Sequence, residues 1–226
     1  MDVLGTLINA ASVAAGSIAG LLLKRRLPRR GEEIVFNTVG LFTAYLGLTM
    51  ALRAESPVSL VLGLVAGALA GELCKLEEAL EGMGERLRRV SGRGSGFTEG
   101  LITAFLTYCV GPMTVIGSLR DGMGDPSILL AKSVMDGAVS VAYAAAMGVG
   151  VLFSAIPLLL FQGSLALIGA LAGAVLPSRA VADMTGAGGV LLLGLSLNLL
   201  KLKKVRVGNM LPALVLVPLI SQLLGC

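Results

Sequence analysis

Lys132 and Asp136 stand four positions apart in LLAKSVMDGAVSVAY, residues 129–143, where every other side chain is apolar, small or hydroxyl-bearing. One helical turn apart, they can pair and cancel their charge, and Lys132 is near enough to the start of the run to reach outward. The same carboxylate can instead hold a cation or pass a proton, with neutral hydroxyl oxygens beside it as ligands. At helical spacing Ser140, Tyr143, Met147, Gly150 and Ser154 continue this side. A second polar stripe precedes it, with Glu99, Thr103, Thr107, Gly111, Thr114 and Ser118 in steps of four or three. It contains Gly111–Pro112, and proline removes a backbone donor and displaces the carbonyl four residues earlier, here Tyr108. The result is either a plain kink or, if the freed carbonyls face a wet cavity, further cation ligands.

Asn9, Asn37, Thr38, Gln162, Asp183, Thr185, Asn198 and Asn209 are secondary polar candidates. Taken singly, each reads first as an interhelical hydrogen bond or an end cap.

Elements that hold such residues have to be membrane helices. The chain has 55% apolar residues, 14% charged residues and a mean hydropathy of +0.89, against about 25% charged usage in soluble domains. Eight apolar stretches, at 4–23, 34–52, 57–73, 98–119, 127–150, 155–176, 181–200 and 207–224, predict an all-α polytopic bundle of about eight spans in one membrane domain, 1–226. The block 127–176 would run about 75 Å as a single helix, so it must turn, near Gly148, Gly150 and Pro157.

With the N-terminus outside, 14 of the 18 Lys and Arg fall in three cytoplasmic runs, 24–30, 75–93 and 201–206. Only Arg53, Arg120 and Arg179 lie outside, and Lys132 is left within a span. Eight crossings with both termini outside fit the positive-inside rule, in the plasma membrane. Because the net charge of +4 arises from these short runs, it marks topology rather than a nucleic-acid partner. Asp2 ahead of the first apolar run and the basic cluster behind it predict a retained first span, not a cleaved leader. Histidine is absent and Cys74, Cys109 and Cys226 lie far apart, so no disulfide framework, transition-metal site or cofactor is indicated.

An internal echo links the first and last thirds. SVAAGSIAGLLL is similar to LALIGALAGAVL, pairing Gly16 and Gly20 with Gly169 and Gly173, and LGLTMAL is similar to LGLSLNL. Spans 1–3 would match spans 6–8, and an offset of five crossings inverts the copy, as in many secondary transporters. The glycines themselves read as close helix packing. Residues 72–95 form an amphipathic cytoplasmic segment with Leu73, Leu76, Leu80, Met83, Leu87 and Val90 on one stripe. It suits the membrane surface or self-packing better than a recruitment site, and with the glycines it suggests a homo-oligomer such as a dimer.

GSLRDGMGDPSILLAKSVMDG, preceded by CVGPM and followed by GVLFSAIPLLLFQG, resembles the YqgA/YdfK-like family of prokaryotic integral membrane proteins, as do TGAGGVLLLGLSLNLL and VRVGNMLPAL. The resemblance covers nearly the whole chain and implies membrane location, with a sodium channel or pump as the activity; it carries no ligand residues across. Without a GxxxxGK[ST] loop, ATP-driven pumping by this chain alone is disfavoured. The residues therefore point to a monovalent-cation channel or ion-coupled transporter in the bilayer, with a non-transporting scaffold or regulator as the alternative. An intramembrane aspartyl protease is the weakest reading: GMGD at 122–125 and PAL at 212–214 are similar to its short motifs, but the tyrosine-aspartate partner is missing.

Overall fold

The structure is a computed structural model that describes residues 3–24, 29–91, 96–109, 112–172 and 177–224. Among the described residues there is no strand. In chain order come α1 (Leu4–Lys24), α2 (Arg29–Ala51), α3 (Pro57–Leu73), α4 (Leu76–Ser91), α5 (Phe97–Cys109), α6 (Pro112–Gly122), α7 (Ser127–Met147), α8 (Gly150–Phe153), α9 (Ala155–Ala172) and α10 (Ser178–Leu199); a 3-10 turn, Val207–Met210, and α11 (Ala213–Leu224) complete it. Five described segments are long and apolar enough to cross a bilayer, or seven if two bent helix pairs, α3 with α4 and α5 with α6, each count as one. The expected stretch 34–52 falls on α2, several of whose side chains lie outside the described set.

The breaks follow local chemistry. The expected turn after α7 occurs at Gly148, whose φ of +86° is left-handed and suits a residue without Cβ. Ser56 caps α3 by accepting the Ser59 N–H at 3.3 Å, and Pro57 opens the helix where its missing N–H costs nothing. The amphipathic segment is not one stripe from residue 72. Lys75 has a φ of +53°, which ends α3 and resets the helical phase, so Leu73 is exposed whereas Leu76, Leu80 and Met83 of α4 are half-buried. The Leu87 and Val90 side chains and residues 92–95 lie outside the described set.

The chain forms two compact units: Met1–Val39, Met83–Cys109 and Met113–Val175 make the first, and Gly40–Gly82, Val110–Pro112 and Leu176–Cys226 the second. In the first, α1 and α7 run side by side in parallel. A Cβ on Gly5 would meet Leu129, one on Gly16 the Gly137 carbonyl and one on Gly20 the Val141 carbonyl, while Lys24 Nζ donates to the Ala146 carbonyl at 3.0 Å. α9 runs antiparallel to α1, and Gly169 lets it approach the Leu119 backbone of α6. Asp121, fully buried at the end of α6, supplies the cap that Val3 cannot give α1. Its carboxylate accepts the Gly5 N–H at 2.9 Å and both the N–H and hydroxyl of Thr6 at 2.8 Å. Asp121→Ala is expected to lower stability by about 2 kcal/mol, read from unfolding in mixed micelles.

In the second unit α3 packs antiparallel on α11, with Gly63, Gly67 and Gly71 facing Val217, Ala213 and Asn209 in turn. α10 packs antiparallel on the later half of α2, where Gly47 lies against Gly189 and Leu193. Asp183 plays the capping part here: it accepts the Glu55 and Ser56 N–H groups at 2.8 and 2.9 Å ahead of α3, and the Ser221 hydroxyl.

Candidate functional site

The site grows from α7 in the first unit. Residues 132, 136, 140 and 143 recur one turn apart, and Lys132, Asp136, Ser140 and Tyr143 are all buried, as the stripe predicts. Lys132 Nζ and Asp136 Oδ2 form a direct ion pair, each residue only 7% exposed. Two ionised groups this far from water depend on each other, since either alone would bear an uncompensated desolvation cost.

What surrounds the pair comes from α1, α5 and α9. Asn9 of α1 donates from Nδ2 to Asp136 Oδ2 at 3.0 Å and, more weakly, to Gln162 Oε1 of α9 at 3.3 Å. Both amides are fully buried, and two of their atoms, Asn9 Oδ1 and Gln162 Nε2, have no hydrogen-bond partner among the described residues. A buried acceptor and a buried donor left over beside an ion pair are unusual, because such groups are nearly always satisfied. From α5, the Tyr108 hydroxyl and Ser140 Oγ lie 2.7 Å apart, the Thr107 hydroxyl and Tyr143 hydroxyl 3.2 Å apart, and the Lys132 ammonium sits 6.0 Å from the Tyr108 ring centroid. Tyr108 and Tyr143 stack at 6.3 Å.

The second stripe is gathered only in part. Thr103, Thr114 and Ser118 are buried and Thr107 is half-buried, but Glu99 is exposed. It occupies the first turn of α5, where a carboxylate complements the helix dipole and a long side chain reaches outward. Gly111 lies outside the described residues, as does the Pro112 side chain; the chain breaks there into α5 and α6, as the proline predicts. The Tyr108 carbonyl expected to be freed accepts the Thr114 hydroxyl at 2.6 Å.

Among the secondary candidates only Asn9 and Gln162 join the α7 site. Asn37 is exposed, and the Thr38 and Thr185 hydroxyls bond to carbonyls one turn back in their own helices. Asp183 serves as the cap described above. Asn198 holds the turn after α10 through both Val205 backbone groups, at 2.8 and 2.6 Å. Asn209 accepts the Glu77 N–H at 2.7 Å and donates to Glu72 at 2.6 Å, while Glu77 accepts the Gly208 N–H at 2.6 Å. These contacts occupy the start of α4 with its own chain. Asp125, in the loop after α6, accepts the Ser127 hydroxyl at 2.6 Å and N–H at 3.1 Å and faces Arg120 at 3.6 Å. Those Ser127 bonds, more than the arginine, hold its carboxyl below the usual range.

Sequence reading had missed Tyr108 as a side chain and Asp121 altogether. The signal was available for Tyr108, since a phenol within an apolar helix has to find a partner for its hydroxyl.

The profile of the family described as "Protein of unknown function (DUF554)" matches residues 4–222. Similar chains include "Uncharacterized protein YqgA" of Escherichia coli (strain K12), 34% identical over 95% of this chain and 94% of that one. Another is "Uncharacterized membrane protein YdfK" of Bacillus subtilis (strain 168), 27% identical over 96% and 94%. No solved structure matches.

Proposed function

We propose that this chain, which belongs to the DUF554 family, is a cation channel or ion-coupled transporter whose polar core is built on α7. The observation that carries the reading is the buried Lys132–Asp136 pair with unpartnered amide atoms beside it. Ionised groups in a span are expensive and typically mark an ion or proton pathway. With one carboxylate, no cluster of three potential metal-binding side chains among the described residues, and neutral amide and hydroxyl oxygens around it, the core suits a monovalent cation such as Na⁺.

In this reading the chain crosses the plasma membrane eight times, α2 included, with both termini outside. The parallel run of α1 with α7, and the antiparallel runs of α1 with α9, α2 with α10 and α3 with α11, agree with those crossings. The last three pairs are also the counterparts of an inverted repeat of spans 1–3 and 6–8. Matching Gly16 to Gly169 matches Asn9 to Gln162, and these two amides touch. Equivalent residues meet only on the axis that relates two copies, which supports a site near mid-membrane.

Proteoliposomes test the activity. Wild-type protein should move Na⁺ down an imposed gradient, and Asp136→Asn and Lys132→Ala should reduce flux at least tenfold, toward that of empty vesicles. Folded wild-type protein that moves no Na⁺, K⁺ or Li⁺ would remove the reading.

A further inference from the structure

Resting on that reading and on the matched spans, we infer that the chain is an alternating carrier rather than a channel, and that the hydrogen bond between Asn9 and Gln162 reverses direction as it alternates. The bond now runs one way. Asn9 Nδ2 has two protons, one given to Asp136 Oδ2 at 3.0 Å and the other to Gln162 Oε1 at 3.3 Å. What remains is an acceptor, Asn9 Oδ1, and a donor, Gln162 Nε2, both buried and without a partner among the described residues. These two atoms are the pair that a bond in the opposite direction, with Gln162 Nε2 donating to Asn9 Oδ1, would use.

Reversal costs little. Turning the two amides gives up one neutral N–H···O bond and forms another of the same kind, while Asn9 Nδ2 keeps a proton for Asp136. No charge moves, because each amide carries donor and acceptor together. The two forms are therefore close in free energy, as they must be in a protein that populates both. Matching Gly16 to Gly169 makes Asn9 and Gln162 counterparts, and the two glycines do the same work. An added Cβ would lie 2.1 Å from a neighbouring helix's carbonyl oxygen in each case, that of Gly137 for Gly16 and that of Leu119 for Gly169. When two inverted copies exchange conformations, each residue takes up its counterpart's role. The donor of one form is then the acceptor of the other, so an amide bond on the axis has to reverse.

Enclosure points the same way. Asn9, Gln162 and Ser140 are fully buried, and Lys132 and Asp136 nearly so. An ion reaches Asp136 only after the helices around it move, and rocking one repeat against the other opens one side at a time.

Counterflow tests this. Proteoliposomes holding full-length protein are loaded with unlabelled NaCl and diluted into medium with a trace of radioactive Na⁺; equal K⁺ on both sides with valinomycin keeps the membrane potential at zero. Labelled Na⁺ in wild-type vesicles should rise transiently above its outside level, because a carrier exchanges one bound ion for another, whereas a pore only equilibrates the label. Gln162→Met removes the donor of the reversed bond. At equal amounts of folded protein its exchange should fall about tenfold, the weight of one lost hydrogen bond, with the loss on the maximal rate rather than on the half-saturating Na⁺ concentration. Asn9→Gln combined with Gln162→Asn trades the two amides across the axis and should recover the overshoot. Label that never exceeds its outside level in the wild type makes the protein a channel, which overturns the inference and leaves the transport reading standing. An undiminished overshoot in Gln162→Met, or a traded pair as poor as Gln162→Met, overturns the reversing bond. A wild type that moves none of Na⁺, K⁺ and Li⁺ overturns this inference and the transport reading together.

Discussion

Asp136→Ala is expected to lower stability by about 3–5 kcal/mol, the largest loss foreseen for any single side chain of the first unit. Lys132 is 7% exposed and its ammonium pairs with Asp136, so deleting the carboxylate strands a cation in the bundle. Asn9 loses its better acceptor at the same time, which leaves one Nδ2 proton unpartnered, the other still donating to Gln162 Oε1, on an amide whose Oδ1 is already unsatisfied. A buried pair stabilises little compared with apolar residues of similar volume, because the desolvation of two ions offsets most of their attraction. The double variant Lys132→Met with Asp136→Leu should therefore recover most of the loss, measured as unfolding in mixed micelles. It should nevertheless remain without cation flux. That combination, stability restored and transport absent, separates a pair kept for conduction from one kept for architecture. A double variant that conducts as well as the wild type would identify the pair as scaffolding.

What the sequence revealed of this site was what periodicity can carry. The α7 stripe depends only on the 3.6-residue repeat and on the aversion of lipid to ions, and Lys132, Asp136, Ser140 and Tyr143 are buried accordingly. The turn at Gly148 follows from length and from the glycine itself. Partner choice between helices is tertiary, and no repeat along one helix encodes it. The expected core lay between the two stripes, yet Asp136 takes its second donor from Asn9 of α1, more than a hundred residues away. The stripe on α5 and α6 was only half legible for a geometric reason: a step of four advances 400°, or about 40° beyond a full turn, so a series of such steps drifts around the helix. Glu99, at the outer end of that series and in the first turn of α5, falls to the exposed side. Asp121 was invisible for the opposite reason, since its role as a cap depends on a helix start 115 residues away that lacks a capping side chain of its own.

Gly16→Val should separate α1 from α7 and cost about 3 kcal/mol or more. A Cβ at Gly16 would sit 2.1 Å from the Gly137 carbonyl oxygen, and one at Gly20 would sit 2.2 Å from that of Val141. Both obstacles are backbone of the neighbouring helix, so no rotamer change relieves them. The two helices would have to move apart along their shared length, losing the close packing that holds helices together in lipid, where neighbouring acyl chains are as apolar as leucine. The same displacement draws Asn9 away from Asp136, now 3.0 Å from it, so cation flux should fall together with stability. Gly163→Ala provides the contrast. Gly163 lies inside α9 with nothing within 4 Å of an added Cβ, so alanine there should stabilise by up to about 1 kcal/mol through helix propensity and leave flux unchanged. If Gly16→Val were as stable and as active as the wild type, the α1–α7 contact could not be what holds the amide against the carboxylate.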